Sequence, residues 1–114
     1  MNAEAIEQIK VVEWLKQTQP GLPFYHFAGE RRCSPQTGAF LKRMGVKAGV
    51  SDLFFPRKNM SHSGLWIELK TLIGRASPAQ IQFMKEMRLE GYEAEVAYGA
   101  DEAINYIKLF YGIE

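Results

Sequence analysis

The sequence predicts a single α/β domain in which one mixed sheet is flanked by helices. Its 114 residues are the usual size of one domain, and a composition of 46% hydrophobic and 24% charged residues is typical of a globular chain. Apolar residues recur with helical spacing in some segments and alternate in others, in the order α-β-α-β-β-α-β-α. No internal repeat, linker or low-complexity stretch interrupts them, so we expect one core over residues 1–114.

The first predicted element is a helix over residues 3–17. Val11 and Leu15 lie one helical turn apart in this segment, which ends before a Pro-Gly breaker. Glu4 and Gln8 fall on the same face as these apolar residues. A carboxylate and an amide on the face that turns toward the core are unusual.

The middle of the chain predicts a short strand, a helix and a hairpin. Residues 24–27 are predicted as a strand and residues 34–44 as a helix that ends at a glycine. Residues 52–55 and 65–71 both have strand character. The polar link over residues 57–64 is too short for a parallel crossover, which needs roughly a dozen residues or more, so we expect an antiparallel pair.

The last three elements are predicted to be a helix, a strand and a helix. Ser77 followed three residues later by Gln80 resembles a capping box, which predicts a helix over about residues 77–90. Residues 93–98 alternate like a strand, and residues 103–110 carry the apolar spacing of a closing amphipathic helix.

Charge and cysteine content restrict the class of protein only weakly. Fourteen Lys and Arg against thirteen Asp and Glu give a net charge of +1, which neither supports nor excludes nucleic-acid binding. The lone Cys33 has no partner for a disulfide, and no secretory signal or membrane span is visible. We expect a protein of the cytoplasm, in a bacterium or a phage-infected cell. Five basic residues are candidate phosphate contacts, although each alone is more often solvated surface: Arg31, Lys42, Arg43, Lys47 and Arg75.

Three residues indicate chemistry. Glu68 and Lys70 are two apart on a predicted strand and therefore share a face, and Asp52 begins the strand expected to pair with it. Such a hairpin could bring two hard oxygen ligands and an ammonium group to one edge of the sheet. Phosphodiester hydrolysis needs these groups, because a divalent ion held by carboxylates can polarise a phosphate and supply hydroxide at neutral pH.

Several residues with a possible functional role also have a plainer structural interpretation. Glu-x-Lys on an exposed strand is more often a pair of solvated charges, but Glu68 and Lys70 lie in an otherwise apolar strand where unpaired charges are costly. Gln80 could simply complete the capping box. His26 is most simply a packed or surface histidine, and the aromatic Trp66 and Phe83 are most simply core.

Three motifs together resemble the virus-type replication-repair nuclease (VRR-NUC) family. They are GVKAGVSDLF at residues 45–54, LWIELK at residues 65–70 and GRASPAQ at residues 74–80, in the family's order and spacing. The resemblance extends from EAIEQ at residues 4–8 to DEA at residues 101–103. It implies a restriction-endonuclease-like PD-(D/E)XK core, a mixed sheet flanked by helices.

The resemblance also implies the roles of individual residues. Asp52 and Glu68 would bind Mg²⁺ or Mn²⁺, the carbonyl of Leu69 could add a ligand, and Lys70 would serve catalysis. Gln80 and Glu4 would complete the site, with Glu7 near enough in sequence to take the place of Glu4. Ser51 stands where the family usually has a proline that binds no metal, so we expect activity to survive this difference.

The resemblance further implies a homodimer that cuts branched DNA such as four-way (Holliday) junctions. Two identical active sites suit a substrate that is itself nearly two-fold symmetric. One alternative is a nicking or flap endonuclease of phage replication or packaging. Another is a DNA-binding module without catalysis.

Overall fold

The computed structural model describes residues 2–27 and 34–114. Within these ranges, four helices and four strands follow one another in the order α-β-α-β-β-α-β-α, as predicted. The bounds are α1 Ala3–Thr18, β1 Tyr25–His26, α2 Pro35–Arg43, β2 Leu53–Phe55, β3 Leu65–Lys70, α3 Pro78–Leu89, β4 Glu93–Tyr98 and α4 Ala100–Tyr111. No helix in the described ranges is long and apolar enough to cross a membrane.

The strands form one mixed sheet in the order β1-β2-β3-β4. β2 pairs with β3 in an antiparallel hairpin, with Leu53 opposite Ile67, and this confirms the predicted pairing. β4 lies parallel to β3, because the connection between them is long enough to contain α3. β1 is shorter than predicted, but the Phe27 N–H still donates to the carbonyl of Asp52 at 2.8 Å, so the chain follows the sheet edge to the start of β2.

One face of the sheet carries the main core. α1 contributes Val11 and Leu15, and α4 contributes Ala103 and Ile107, all essentially inaccessible to solvent. They belong to one cluster with the alternate residues of β2 and β3 that point to this side, which are Leu53, Phe55, Leu65, Ile67 and Leu69. The position of α1 over the sheet therefore depends on its packing with α4.

The opposite face begins with aromatic residues and ends with charged ones. The Trp66 ring stacks on Phe54 with centroids 4.2 Å apart and meets Phe83 of α3 edge-on at 4.9 Å. Because side chains two apart share a face, Glu68 and Lys70 follow Trp66 on this side. This face of the sheet therefore has packed aromatic residues at one end and ionisable groups at the other.

Candidate active site

Three carboxylates meet where the hairpin ladder ends. Asp52 directly precedes Leu53, the partner of Ile67, so the register carries Asp52 to the place opposite Glu68. Glu4, in the first turn of α1, reaches the same place. One carboxylate oxygen from each of Glu4, Asp52 and Glu68 lies within 4.8 Å of the other two.

The Asp52 carboxylate is held by the backbone of the neighbouring strand. Its Oδ2 accepts a hydrogen bond of 2.7 Å from the Leu69 N–H. A charged acceptor makes such a bond stronger than a neutral one does. Leu69 itself points into the core, so the hairpin fixes the carboxylate through a main chain that cannot easily shift.

Glu68 is the most deeply buried of the three carboxylates, with only 1% of the residue exposed. Its Oε1 has no hydrogen-bond partner within the described part of the chain, and its Oε2 lies 3.7 Å from the Lys70 Nζ. Burial raises the pKa of Glu68 to about 9; Asp52 and Glu4 add to the rise, and Lys70 opposes it. Burial, with the charge of Asp52, also raises the pKa of Glu4.

This donor set fits a divalent cation. Three carboxylates face one ammonium, so their charges do not balance, and a buried oxygen without a partner requires a ligand or a proton. Hard cations such as Mg²⁺ take oxygen ligands of this kind. Metal binding and carboxylate ionisation would support one another here.

Glu7 has a different environment from Glu4. Its Oε2 lies 2.8 Å from Lys10 Nζ, and its Oε1 accepts a 3.3 Å hydrogen bond from the Ala100 N–H at the start of α4. The N-cap Gly99 offers no side chain to that helix, so Glu7 provides the cap. Of the two glutamates that the sequence left open, the structure places Glu4 with the other carboxylates.

Gln80 lies at the start of α3, next to the segment that leads to Asp52. Its Oε1 accepts from the Ser77 N–H at 2.7 Å, which completes the predicted capping box. Gly49 packs directly on this helix end: a Cβ on Gly49 would lie 2.4 Å from the Ala79 carbonyl oxygen. Only a residue without a side chain allows this approach, which sets the distance between the two segments.

The contact between Gln8 and His26 is not predicted by the sequence. The Gln8 Nε2 lies 2.9 Å from the His26 Nδ1. The His26 Nδ1 also lies 3.0 Å from the Asp52 carbonyl oxygen. These contacts tie α1 to the start of β2 one helical turn after Glu4. The polar Gln8 on an apolar face was the available signal, but its partner is distant in sequence.

The predicted phosphate contacts lie around the surface. Lys42, Arg43, Lys47 and Arg75 are all exposed, and none forms an ion pair with another residue of the described ranges. Arg31 lies outside the described residues. Their contact with DNA stays a prediction.

An antiparallel hairpin that sets an aspartate opposite a Glu-x-Lys strand, on a mixed sheet flanked by helices, defines the class of PD-(D/E)XK-like cores. The family model of the VRR-NUC domain matches residues 2–101. A solved structure described as a VRR_NUC domain protein is similar to this chain, with a TM-score of 0.78 and 33% identity over 99% of this chain and 91% of the other. No curated protein matches the sequence. The chain belongs to the VRR-NUC family, which implies a nuclease-type function.

Proposed function

We propose that the protein is a metal-dependent endodeoxyribonuclease that hydrolyses phosphodiester bonds at the Glu4, Asp52 and Glu68 cluster. The observation that carries this proposal is the meeting of three carboxylates, one of them buried with an unpartnered oxygen, beside the Lys70 ammonium. Membership of a nuclease family supports the same reaction class.

The carboxylates of Glu4, Asp52 and Glu68 would hold Mg²⁺ or Mn²⁺, with the Leu69 carbonyl as a further ligand. A bound divalent ion supplies Lewis acidity toward the phosphate and a nucleophile at neutral pH. The chain supplies the geometry, because the hydrogen bond from Leu69 fixes Asp52 before any ligand arrives.

Lys70 acts on the phosphate from the same face. Its side chain is only 14% exposed and is held near Glu68, so its ammonium has little rotational freedom to lose when the substrate binds. A compact positive charge at this place orients the attacking water and stabilises negative charge that develops on the phosphoryl oxygens. Gln80 would assist from the start of α3, in addition to its capping role.

For the substrate, we favour four-way DNA junctions cut by a homodimer. A two-fold dimer presents two equivalent sites to two opposing strands. A nicking or flap endonuclease of phage replication or packaging would use the same residues on a different DNA. A binding module without catalysis is disfavoured, because such a module has no use for a buried carboxylate cluster beside a lysine.

The test is cleavage of labelled junction, flap and duplex DNA in Mg²⁺, Mn²⁺ or EDTA. Asp52→Asn keeps an oxygen that can accept from Leu69 but removes the ligand charge, and Lys70→Ala removes the ammonium. We expect each substitution to lower the cleavage rate by at least about 100-fold with little effect on DNA binding. Lys85→Ala, an exposed change on α3, is the matched control and should cut at the normal rate.

Two results would contradict the proposal. Normal cleavage by Asp52→Asn or Lys70→Ala would remove these residues from the reaction. DNA binding by the unmodified protein without cleavage in either metal would favour the binding module. Light scattering tests the dimer separately, because a strictly monomeric protein is incompatible with paired incision by one assembly.

A further inference from the structure

The turn that follows β3 presents two large apolar side chains to solvent. The Gly74 N–H donates to the Thr71 carbonyl at 3.0 Å, so Leu72 and Ile73 occupy the centre of a tight turn. They are 84% and 94% exposed. Turn centres favour Gly, Pro, Asn, Asp and Ser, and exposed Leu and Ile contribute nothing to the core. Neither local conformation nor packing explains these two residues.

The same two side chains line an open groove between this turn and the start of α1. The groove has a volume of about 340 Å³, and Ala3 and Ile6 of α1 form its opposite side. Glu4 lies between these two helical residues in the chain, and Lys70 lies two residues before Leu72. The turn folds back on Lys70, since a Cβ on Gly74 would lie 3.4 Å from the Lys70 Cβ, so the groove lies at the end of the strand that carries the proposed site.

The chemistry of the groove selects what it can hold. Its walls are mostly apolar, and the carboxylate of Glu7 lies among the lining residues, so a phosphate group would be repelled. The flat apolar face of a nucleobase fits such walls well. A base within a stacked duplex cannot reach them, whereas a base that has left the stack can.

We propose that Leu72 and Ile73 form an apolar wedge that contacts an unstacked base next to the phosphate being cut. This inference rests on the proposed function and deepens it, since it names the feature of the substrate that the enzyme reads. Two residues of extended chain span only about 7 Å, so a phosphate beside Lys70 has its neighbouring bases within reach of the turn. Apolar side chains are a common means of separating base steps.

Charge near the turn supports DNA as the occupant. Arg75 follows Gly74 directly, is exposed, and can contact a phosphate next to the wedged base. A second copy of this chain is the rival occupant, but the turn packs against Lys70, which DNA must reach for the proposed reaction. Bases lose their stacking most readily at branch points, so the wedge would favour branched DNA over a continuous duplex.

The experiment replaces both wedge residues and follows the base directly. Leu72→Ser/Ile73→Ser is compared with Leu89→Ser, whose side chain is equally exposed, at 84%, but lies at the other end of α3. The probe is a four-way DNA junction with 2-aminopurine at the branch, bound by proteins that also carry Lys70→Ala so that the DNA stays intact. We expect the 2-aminopurine fluorescence to rise when the junction is bound by the protein with Lys70→Ala alone. The Leu89→Ser control should give the same rise, and the wedge variant should give none. We also expect the wedge variant to bind the junction about 10-fold more weakly, with duplex binding unchanged.

The outcomes separate this inference from the proposed function. An equal fluorescence rise with the wedge variant overturns the wedge, even if the unmodified protein cuts DNA normally. A change from dimer to monomer in light scattering of the DNA-free wedge variant also overturns it, because the turn would then contact a second copy. Failure of the unmodified protein to cut any DNA in Mg²⁺ or Mn²⁺ overturns the proposed function instead.

Discussion

At the scale of single residues, Glu68 shows how burial and charge act on one group. Its carboxyl has almost no contact with water, and the acidic side chains of Asp52 and Glu4 lie close by. These surroundings favour the protonated form, and Lys70 offsets them only partly. The strand tolerates this group at a cost in stability, which suits a residue whose partner is a cation from outside the chain.

The sign of the resulting pH dependence follows from the raised pKa. In the unfolded chain Glu68 ionises near its ordinary pKa of 4.5, whereas in the folded chain it keeps its proton to about pH 9. The unfolded state thus binds fewer protons between these values, so stability falls as pH rises. The favourable contribution is fully present below about pH 4.5 and is lost as pH rises toward 9.

Glu68→Gln should remove this dependence, because the amide has nearly the same shape and does not titrate. In EDTA at pH 8.5, we expect the free energy of unfolding of the variant to be at least about 1 kcal/mol higher than that of the unmodified protein. We also expect this free energy to change less with pH between pH 5 and 9. Urea denaturation at pH 5, 7 and 8.5 measures this. Glu90→Gln, an exposed change after α3, should leave the profile as it is; an unchanged slope in Glu68→Gln would contradict the assignment.

At the scale of elements, the contact between Gly49 and α3 joins two parts of the site. Gly49 has a φ of +91°, and an added Cβ would meet the Ala79 carbonyl oxygen at 2.4 Å. Gly45 has a similar φ of +99° but no atom within 4 Å of the same position. A comparison of alanine substitutions at the two glycines therefore separates the effect of backbone strain from the effect of close packing.

Gly49→Ala should destabilise the protein more than Gly45→Ala does. We expect about 1 kcal/mol for the strain alone at Gly45 and roughly 2 kcal/mol more at Gly49, where the backbone must also move. The displaced segment leads to Asp52, so Gly49→Ala should also weaken Mn²⁺ binding, measured by calorimetry. Equal losses of stability in the two variants would mean that the close contact with α3 has no energetic effect.

The sequence was sufficient to predict the order of the helices and strands and part of the candidate site. The short link after β2 excludes a parallel crossover, and alternation along β3 places Glu68 and Lys70 on one face, so the hairpin follows from local rules. The choice between Glu4 and Glu7 as the third carboxylate does not follow from local rules. Both lie in the first two turns of α1, and the direction of each depends on how that helix crosses the sheet.

Contacts between distant segments explain what the sequence could not predict. The ion pair of Glu7 with Lys10 follows the local i,i+3 spacing of α1, but its hydrogen bond from the start of α4 follows from no local pattern in α1. The contact of His26 with the Asp52 carbonyl joins an edge strand to the residue before β2, and its geometry exists only in the folded sheet. Sequence patterns report periodicity within an element, whereas these contacts depend on packing between elements.

At the scale of the whole molecule, the candidate metal ligands are far apart in sequence and depend on the entire core. Glu4 belongs to α1, which packs on α4, whereas Asp52 and Glu68 belong to the hairpin. An unfolded chain separates these groups and offers no common site. A cation that binds the cluster should therefore stabilise the folded state as a whole.

This linkage predicts a measurable thermal shift. A ligand at 100 times its Kd that binds only the folded state adds about 2.7 kcal/mol, which for a chain of this size raises Tm by roughly 10 °C. We expect Mn²⁺ to produce such a shift in the unmodified protein and a much smaller one in Glu4→Gln, because one of the three ligand charges is lost. Glu13→Gln, an exposed change on the same helix, should retain the full shift. If Glu4→Gln and Glu13→Gln respond equally to Mn²⁺, then α1 carries no ligand, and the cation is held by the hairpin alone.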